Sequence, residues 1–282
     1  MGMQTPISTS FNLPDGREVT IETGKLASLA DGSAVVKMGK TMLFCSAVSA
    51  KEAREGQSFF PLSVDYQEKF AAAGKIPGNF FRREAKLSDY EVLISRLVDR
   101  AIRPLFPDGY MNDTQIIINL ISGEEEVLPD AFAALAASTA LAVSDIPFAA
   151  PISEVRVALI KGEYKVNPNR SELEDAELDI IVGATMSDVT MVEGEGKEVS
   201  EKVLVEAIKV GHEAIKVQIQ AQLELAKLVG EKALNKREVV PTPENEEVNE
   251  WVIANGKDAI YEVAKGQLPK NERKSRLDEI KT

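Results

Sequence analysis

Residues 114–145, TQIIINLISGEEEVLPDAFAALAASTALAVSD, set two unlike apolar runs one after the other. The first, Thr114 to Ser122, is short and rich in isoleucine, and it reads as a buried strand. The second, Asp130 to Asp145, is made of small residues with no polar face, and Pro147 stops it. That pattern predicts a helix buried all round, whose small side chains let it pack closely between layers. A buried strand feeding a buried helix points to a mixed α/β (α+β) fold.

The flanking sequence alternates in the same way. FNLPDGREVTIET (11–23) reads as a hairpin turning at Pro14, Asp15 and Gly16, and SAVVKMGKTMLFCSAVSA (33–50) as a second turning near Gly39. SFFPLSVDY (58–66) is a further short strand. EVRVALIKGEYKVN (154–167) and ELDIIVGATMSDVTMVEGEG (177–196) supply more, and a long helix with Ser200 as its cap runs to about Gly230. Composition changes at Pro241 and Pro243. From Glu244 the chain is polar, with apolar anchors at Trp251, Val252, Ile260, Tyr261 and Val263, and it predicts short helices broken at Gly256, Gly266 and Pro269. The expected organisation is therefore a core domain over 1–240 and the start of an all-helical domain over 241–282.

Charge narrows the function. The 282 residues carry 33 Lys plus Arg against 45 Asp plus Glu, a formal net charge of −12, so nucleic-acid binding by the whole surface is excluded. Between residues 69 and 107, however, eight basic residues face four acidic ones, which leaves +4 there and −16 elsewhere. A focused positive patch on a repelling surface admits a phosphate backbone at one place, as a channel mouth would.

That patch has a readable shape. Pro77, Gly78 and Asn79 favour a turn, so Phe80, Phe81, Arg82 and Arg83 fall on a loop where aromatic faces stay exposed beside two cations, a stacking platform for single-stranded RNA. Ser88 and Glu91 form a capping-box pattern, and Tyr90, Leu93, Ile94, Leu97, Ala101 and Ile102 recur at helical spacing. Arg96, Arg100 and Arg103 fall at i, i+4 and i+7 beside that apolar face, and Pro104 closes the helix. The plainer alternative folds the phenylalanines into a core and pairs the arginines with Asp89, Glu91 and Asp99.

Other chemistries find little support. The lone Cys45 sits in a strand-like run and reads as a small buried hydrophobe, in keeping with a reducing cytoplasm. No apolar run has the length of a membrane span, and no secretory leader pattern opens the sequence. His212 is the only histidine, which disfavours zinc, and no nucleotide-binding fingerprint occurs. Asp175, Glu177 and Asp179 alternate along an expected strand. They would share one face and could hold Mg²⁺ through water, but a solvated strand edge explains them as well.

The run FFRREAKLSDYEVLISRLVDRAIRPLFP (80–107) resembles the first core domain of the bacterial polynucleotide phosphorylase family. DGSAVVKMGKTMLFCSAVSA (31–50), FFPLSVDYQEKFAAAGKIPG (59–78) and NPNRSELEDAELDIIVGAT (167–185) extend the resemblance along the chain. It departs at Asn79, where the family tends to have glycine, and at Ala101, where it often has proline. The resemblance implies a ribonuclease PH-like mixed sheet with packed helices, followed by the opening of a helical linker domain. It implies a 3′→5′ exoribonuclease that uses inorganic phosphate and Mg²⁺ to release nucleoside diphosphates in RNA degradation. It also implies a cytoplasmic homotrimeric ring and association with an RNA-degradation complex.

In that family Phe80, Phe81, Arg82 and Arg83 would line the ring entrance, with Arg96, Arg100 and Arg103 contacting the backbone deeper in the channel. Related catalytic domains hold phosphate at a helix N-terminus on a Ser- or Gly-rich triplet near an arginine. Here the corresponding stretch is SGEEEVLPDAFAA (122–134), where Glu124, Glu125, Glu126 and Asp130 would repel phosphate and Pro129 lacks an N–H. Catalysis is therefore expected in a second core domain outside these residues, with no catalytic or metal-binding residue in this chain. The alternative is a non-catalytic RNA-binding or scaffold subunit. A self-sufficient single-domain phosphorolytic enzyme is disfavoured by the acidic turn.

Overall fold

The computed structural model describes residues 5–74, 76, 86–239 and 245–281. Contacts divide the chain into two compact units, Met1–Val239 and Val240–Thr282. In the first unit, strands β1 (Ile7–Asn12), β2 (Glu18–Thr23), β3 (Gly32–Met38), β4 (Thr41–Ser49), β5 (Leu62–Glu68) and β6 (Thr114–Ser122) form a six-stranded sheet of order β1-β2-β3-β4-β6-β5. All its pairings are antiparallel except β5 with β6, so β5 is a parallel edge strand. Both sequence-predicted hairpins form: Asn12 pairs with Glu18 across the Pro14–Gly16 turn, and Met38 pairs with Thr41 across Gly39, which takes φ +58°. A second sheet, antiparallel throughout, has the order β10-β9-β7-β8 and is built from β7 (Ser153–Ile160), β8 (Glu163–Val166), β9 (Ala176–Ala184) and β10 (Val189–Gly196).

Helices α1 (Asp89–Ile102), α2 (Ala133–Ala142) and α3 (Glu201–Val229) pack on these sheets, and the short α4 (Glu231–Leu234) follows α3. Every residue of α2 is buried, and the helix touches β3, β4 and β6 on one side and β7 and α3 on the other. The expectation of a small-residue helix set between layers is met. The approach is so close that a Cβ on Gly32 of β3 would lie 2.0 Å from the Ala140 carbonyl oxygen. One main core surrounds α2 and takes in Tyr66, Ile94, Phe132 and Leu141; a second lies between the four-stranded sheet and α3 around Val157, Val182 and Ile215. Cys45 is buried within the main core, and burial pushes its thiol pKa well above the ordinary value.

Several local expectations are corrected. Asp175 does not belong to the strand: Glu172 accepts the Asn169 N–H at 2.9 Å and opens a 3₁₀ turn over Arg170–Asp175, so β9 starts one residue later. Ser200 is the N-cap of α3, but its side chain makes no capping bond. On α1, Leu93 is half exposed, and Val98 and Ser95 take inner positions instead.

The second unit consists of α5 (Glu246–Lys265) and α6 (Lys270–Lys281), which contact each other. Asn245 caps α5 by accepting the Val248 N–H. The break expected at Gly256 is absent, because α5 runs through it, whereas Gly266 and Pro269 do fall between the helices. No residue of either helix is buried, and Trp251 and Tyr261 are exposed. No helix among the described residues is long and apolar enough to cross a membrane.

Candidate nucleic-acid interface

Local sequence fixes α1 firmly. Glu91 Oε2 accepts the Ser88 N–H at 2.6 Å and Ser88 Oγ accepts the Glu91 N–H at 3.2 Å, the reciprocal capping box. Glu91 also uses Oε1 to accept the Glu68 N–H at 2.8 Å, and Ser95 Oγ accepts the Tyr66 N–H at 2.9 Å while donating to the Glu91 carbonyl. The helix cap thus doubles as the tie between α1 and the free side of β5. This leaves a groove of about 380 Å³ along the helix, lined by Leu62, Asp65, Val92, Arg96 and Arg100.

The three arginines of the stripe lie on this helix but are not equivalent. Arg96 is exposed and makes no hydrogen bond or ion pair among the described residues. Arg100 reaches across to β10 and bonds Glu193 Oε2 at 2.5 Å, with both side chains about half exposed. Arg103 is committed to the fold: Asp99 receives its Nε at 3.0 Å and its Nη2 at 2.6 Å, and the carbonyls of Phe60 and Leu62 accept at 3.2 and 3.1 Å. Its guanidinium also sits 5.7 Å from the Phe60 ring centre. The helical pattern therefore brings all three arginines to the wall of the groove, where Arg96 and Arg100 are open and Arg103 is held by four hydrogen bonds to the fold. Phe80, Phe81, Arg82 and Arg83 lie outside the described residues.

A second hollow, of about 750 Å³, opens beside the SGEEEVLPD turn and is lined by Thr41, Glu68, Tyr90, Glu124, Glu125 and Arg170. Its walls carry more acid than base. Burial raises the Glu68 carboxyl above the usual range, against the Tyr66 hydroxyl that donates to it at 2.9 Å and favours the charged form. Burial likewise raises the Tyr90 phenol, so it stays protonated at neutral pH.

Next to this hollow, the chain enters α2 through a 3₁₀ turn at Pro129–Phe132, and Asp130 is buried there. Its Oδ1 accepts the Ala131 N–H at 2.7 Å, and its Oδ2 is ion-paired to Arg156. Arg156 also bonds both carboxylate oxygens of Asp179, at 2.7 and 2.6 Å. A buried carboxylate thus sits in the turn that leads into α2 and sets negative charge beside the helix N-terminus, whose own first N–H groups receive no side-chain cap. The sequence marks Asp130 only as a charge that would repel phosphate and gives no sign of its partner, Arg156. Glu126, counted with it, instead accepts Ser171 N and Oγ.

Two of the three acids that could have held a cation, Asp175 and Asp179, are engaged in ion pairs. Asp175 pairs with Lys161 at 2.9 Å and Asp179 with Arg156, and among the described residues no group of three or more His, Cys, Asp or Glu could hold a metal ion. Two further residues went unremarked in the sequence. Lys236 Nζ donates to the carbonyls of Leu141, Ala142 and Ser144, closing the C-terminal end of α2, and Arg237 bridges Asp31 and Asp145.

Residues 15–147 match the 3′ exoribonuclease family, domain 1, and residues 150–214 match domain 2 of the same family. The two matches together cover more than half of the chain. The chain belongs to the 3′ exoribonuclease family. The junction between the family's two parts falls between α2 and β7, where the six-stranded sheet gives way to the four-stranded one.

Similarity to individual family members is extensive. The chain is 53% identical over 280 residues to the polyribonucleotide nucleotidyltransferase of Cytophaga hutchinsonii, covering 98% of this chain and 38% of that protein. The corresponding figures are 54%, 98% and 39% for the Amoebophilus asiaticus protein of that name, and 51%, 99% and 39% for that of Bacteroides fragilis. The resemblance read from residues 80–107 is thereby borne out, and the chain spans under two-fifths of the length of these relatives. Among solved structures, the Archaeoglobus fulgidus exosome with RNA bound to the active site aligns over 77% of this chain and 92% of its own, with a TM-score of 0.56 at 18% identity. That likeness shows a shared fold, in keeping with the ribonuclease PH-like mixed sheet and packed helices.

Proposed function

We propose that this chain forms the N-terminal part of a 3′→5′ phosphorolytic exoribonuclease, a polyribonucleotide nucleotidyltransferase that degrades RNA with inorganic phosphate to nucleoside diphosphates. The observation that carries this reading is identity above 50% over almost the whole chain to proteins of that name. Within the enzyme this part guides single-stranded RNA and helps to build a homotrimeric ring. Phosphorolysis and its Mg²⁺ belong to a second core domain. The enzyme works in the cytoplasm on mRNA and associates with an RNA-degradation complex.

The chemistry of the described residues supports that division of labour. A phosphate nucleophile needs an open set of N–H donors or cations, and the turn before α2 instead buries the Asp130 carboxylate, with Arg156 committed as its counter-charge. Of the three acids on that stretch, Asp175 is ion-paired to Lys161 and Asp179 to Arg156, which leaves Glu177 alone and argues against a metal there. RNA stacks on Phe80 and Phe81 at the entrance, where Arg82 and Arg83 neutralise phosphates, and then passes Arg96 and Arg100. Neither contact reads bases, so binding is independent of sequence.

The test mixes the chain with a 3′-labelled single-stranded oligoribonucleotide, phosphate and Mg²⁺, and records both binding and release of nucleoside diphosphate. Binding without release is expected. Phosphate-dependent release in a preparation free of host enzyme would place the active site within these residues, and absence of binding would remove the guiding role. Phe81→Ala should weaken binding of every sequence about equally, by roughly 1–3 kcal/mol for each base that stacks there. Loss confined to particular sequences would overturn the stacking platform.

A further inference from the structure

We infer that Glu193 is a displaceable stand-in for an RNA phosphate at Arg100, so that β10 gates the second arginine of the α1 groove. This rests on the RNA-guiding reading above and adds a residue that opposes binding. Glu193 meets Arg100 through one oxygen and one guanidinium nitrogen, with side-chain exposures of 47% and 52%. A single-contact pair this open is weak and exchangeable. A phosphate offers two oxygens to the planar guanidinium fork and makes the stronger partner.

The backbone holds Glu193 in place for this role. It pairs with Ile181 in the β10–β9 ladder, and at the next residue, Gly194, a Cβ would lie 2.2 Å from the Asp179 carbonyl oxygen. The carboxylate is therefore presented from a fixed strand. Arg96, one turn earlier on α1, has no such competitor among the described residues. A single free anion arriving at Arg100 must displace Glu193 unaided. A strand already held at Arg96 delivers its next phosphate at high effective concentration, so the gate favours polymer over small anions.

The experiment measures Kd for a fluorescent single-stranded oligoribonucleotide at 0.15 M salt for the wild type, Glu193→Gln, Glu195→Gln, Arg100→Gln and the Glu193→Gln/Arg100→Gln pair. Glu195 lies two residues along the same strand, opposite Asp179, and has no hydrogen bond or ion pair with Arg100. Glu193→Gln should tighten binding roughly two- to fivefold, the range set by an exposed ion pair, and Glu195→Gln should change it by less than about 1.5-fold at this ionic strength. In the Arg100→Gln background the gain from Glu193→Gln should vanish. Equal gains from both glutamates, or a gain that survives loss of Arg100, would mean general charge repulsion and overturn the gate. Binding that Arg100→Gln weakens but Glu193→Gln leaves unchanged overturns the gate alone. Binding indifferent to Arg100 removes Arg100's place in the RNA path, and the gate with it.

Discussion

Arg156 and the arginines of α1 are the same residue in opposite situations. Arg156 is 14% exposed and divides its guanidinium between Asp130 and Asp179, whereas Arg96 and Arg100 stand on an open groove with one surface partner between them among the described residues. A guanidinium becomes available to a ligand when few partners hold it and water still reaches it. Arg103 shows that position on a helix does not decide this: it shares the stripe with the other two, yet four hydrogen bonds bind it to the fold. Removing each residue in turn grades that comparison.

The largest effect is expected from Arg156→Met. It leaves Asp130 and Asp179 facing each other in a site with little water, and breaking a buried pair from one side costs about 3–5 kcal/mol. Urea unfolding at pH 7 measures it. A loss under about 1 kcal/mol would mean that the network is no more demanding than a surface pair, and the contrast with α1 would fail.

Glu154 sharpens the same point from the acidic side. It is 1% exposed, and among the described residues its Oε1 has no hydrogen-bond partner and no cation pairs with it. Burial, with the Asp130 charge adding to it, raises its pKa from 4.5 to about 8. The folded state therefore keeps this proton where the unfolded chain has released it. The associated stability is fully present below pH 4.5 and is lost as pH rises towards 8. Glu154→Gln, neutral throughout, should match the wild type near pH 4.5 and exceed it by a few kcal/mol near pH 8. An unfolding difference that is flat with pH would show that the carboxyl is not held neutral.

Much of the fold was legible because its signals are local. The two hairpins announce themselves by Pro14–Gly16 and Gly39, α1 by Ser88 and Glu91, and α2 by its lack of any polar face. What escaped was set by distance along the chain. Asp130 meets Arg156 across 26 residues and Arg237 meets Asp145 across 92, and no periodicity encodes either pairing. The reading of Asp175 as a strand residue failed for a local reason that was visible: Asn169 followed three residues later by Glu172 is itself a turn-opening pattern. At the candidate interface the sequence located the helix and its arginines. The pairing of Arg103 with Asp99, four residues before it, was among the alternatives the sequence offered, but the rest of the ranking depends on Glu193, Phe60 and Leu62, which come from other strands and loops.

Arg103→Gln should fall between the extremes. Asp99 loses a bidentate partner and the carbonyls of Phe60 and Leu62 lose their donors, but the site is partly open to water, so a destabilisation of about 1–2 kcal/mol is expected. RNA affinity measured on folded protein should change less than with Arg100→Gln. A larger binding defect than stability defect would return Arg103 to the RNA path and contradict its assignment to the fold.

Arg96→Gln should be the mildest change in the folded protein and the most telling at the interface. With no partner among the described residues to orphan, the substitution should alter unfolding free energy by no more than about 0.5 kcal/mol. If the side chain meets one phosphate, the slope of log K against log salt for single-stranded RNA should become shallower by about 0.7. The two measurements together place Arg96 at the opposite pole from Arg156: nearly silent in stability and audible only when RNA is present. An unchanged salt slope would leave α1 with a free cation that RNA does not use. The guiding role would then rest on Arg100 and the loop at Phe80–Arg83.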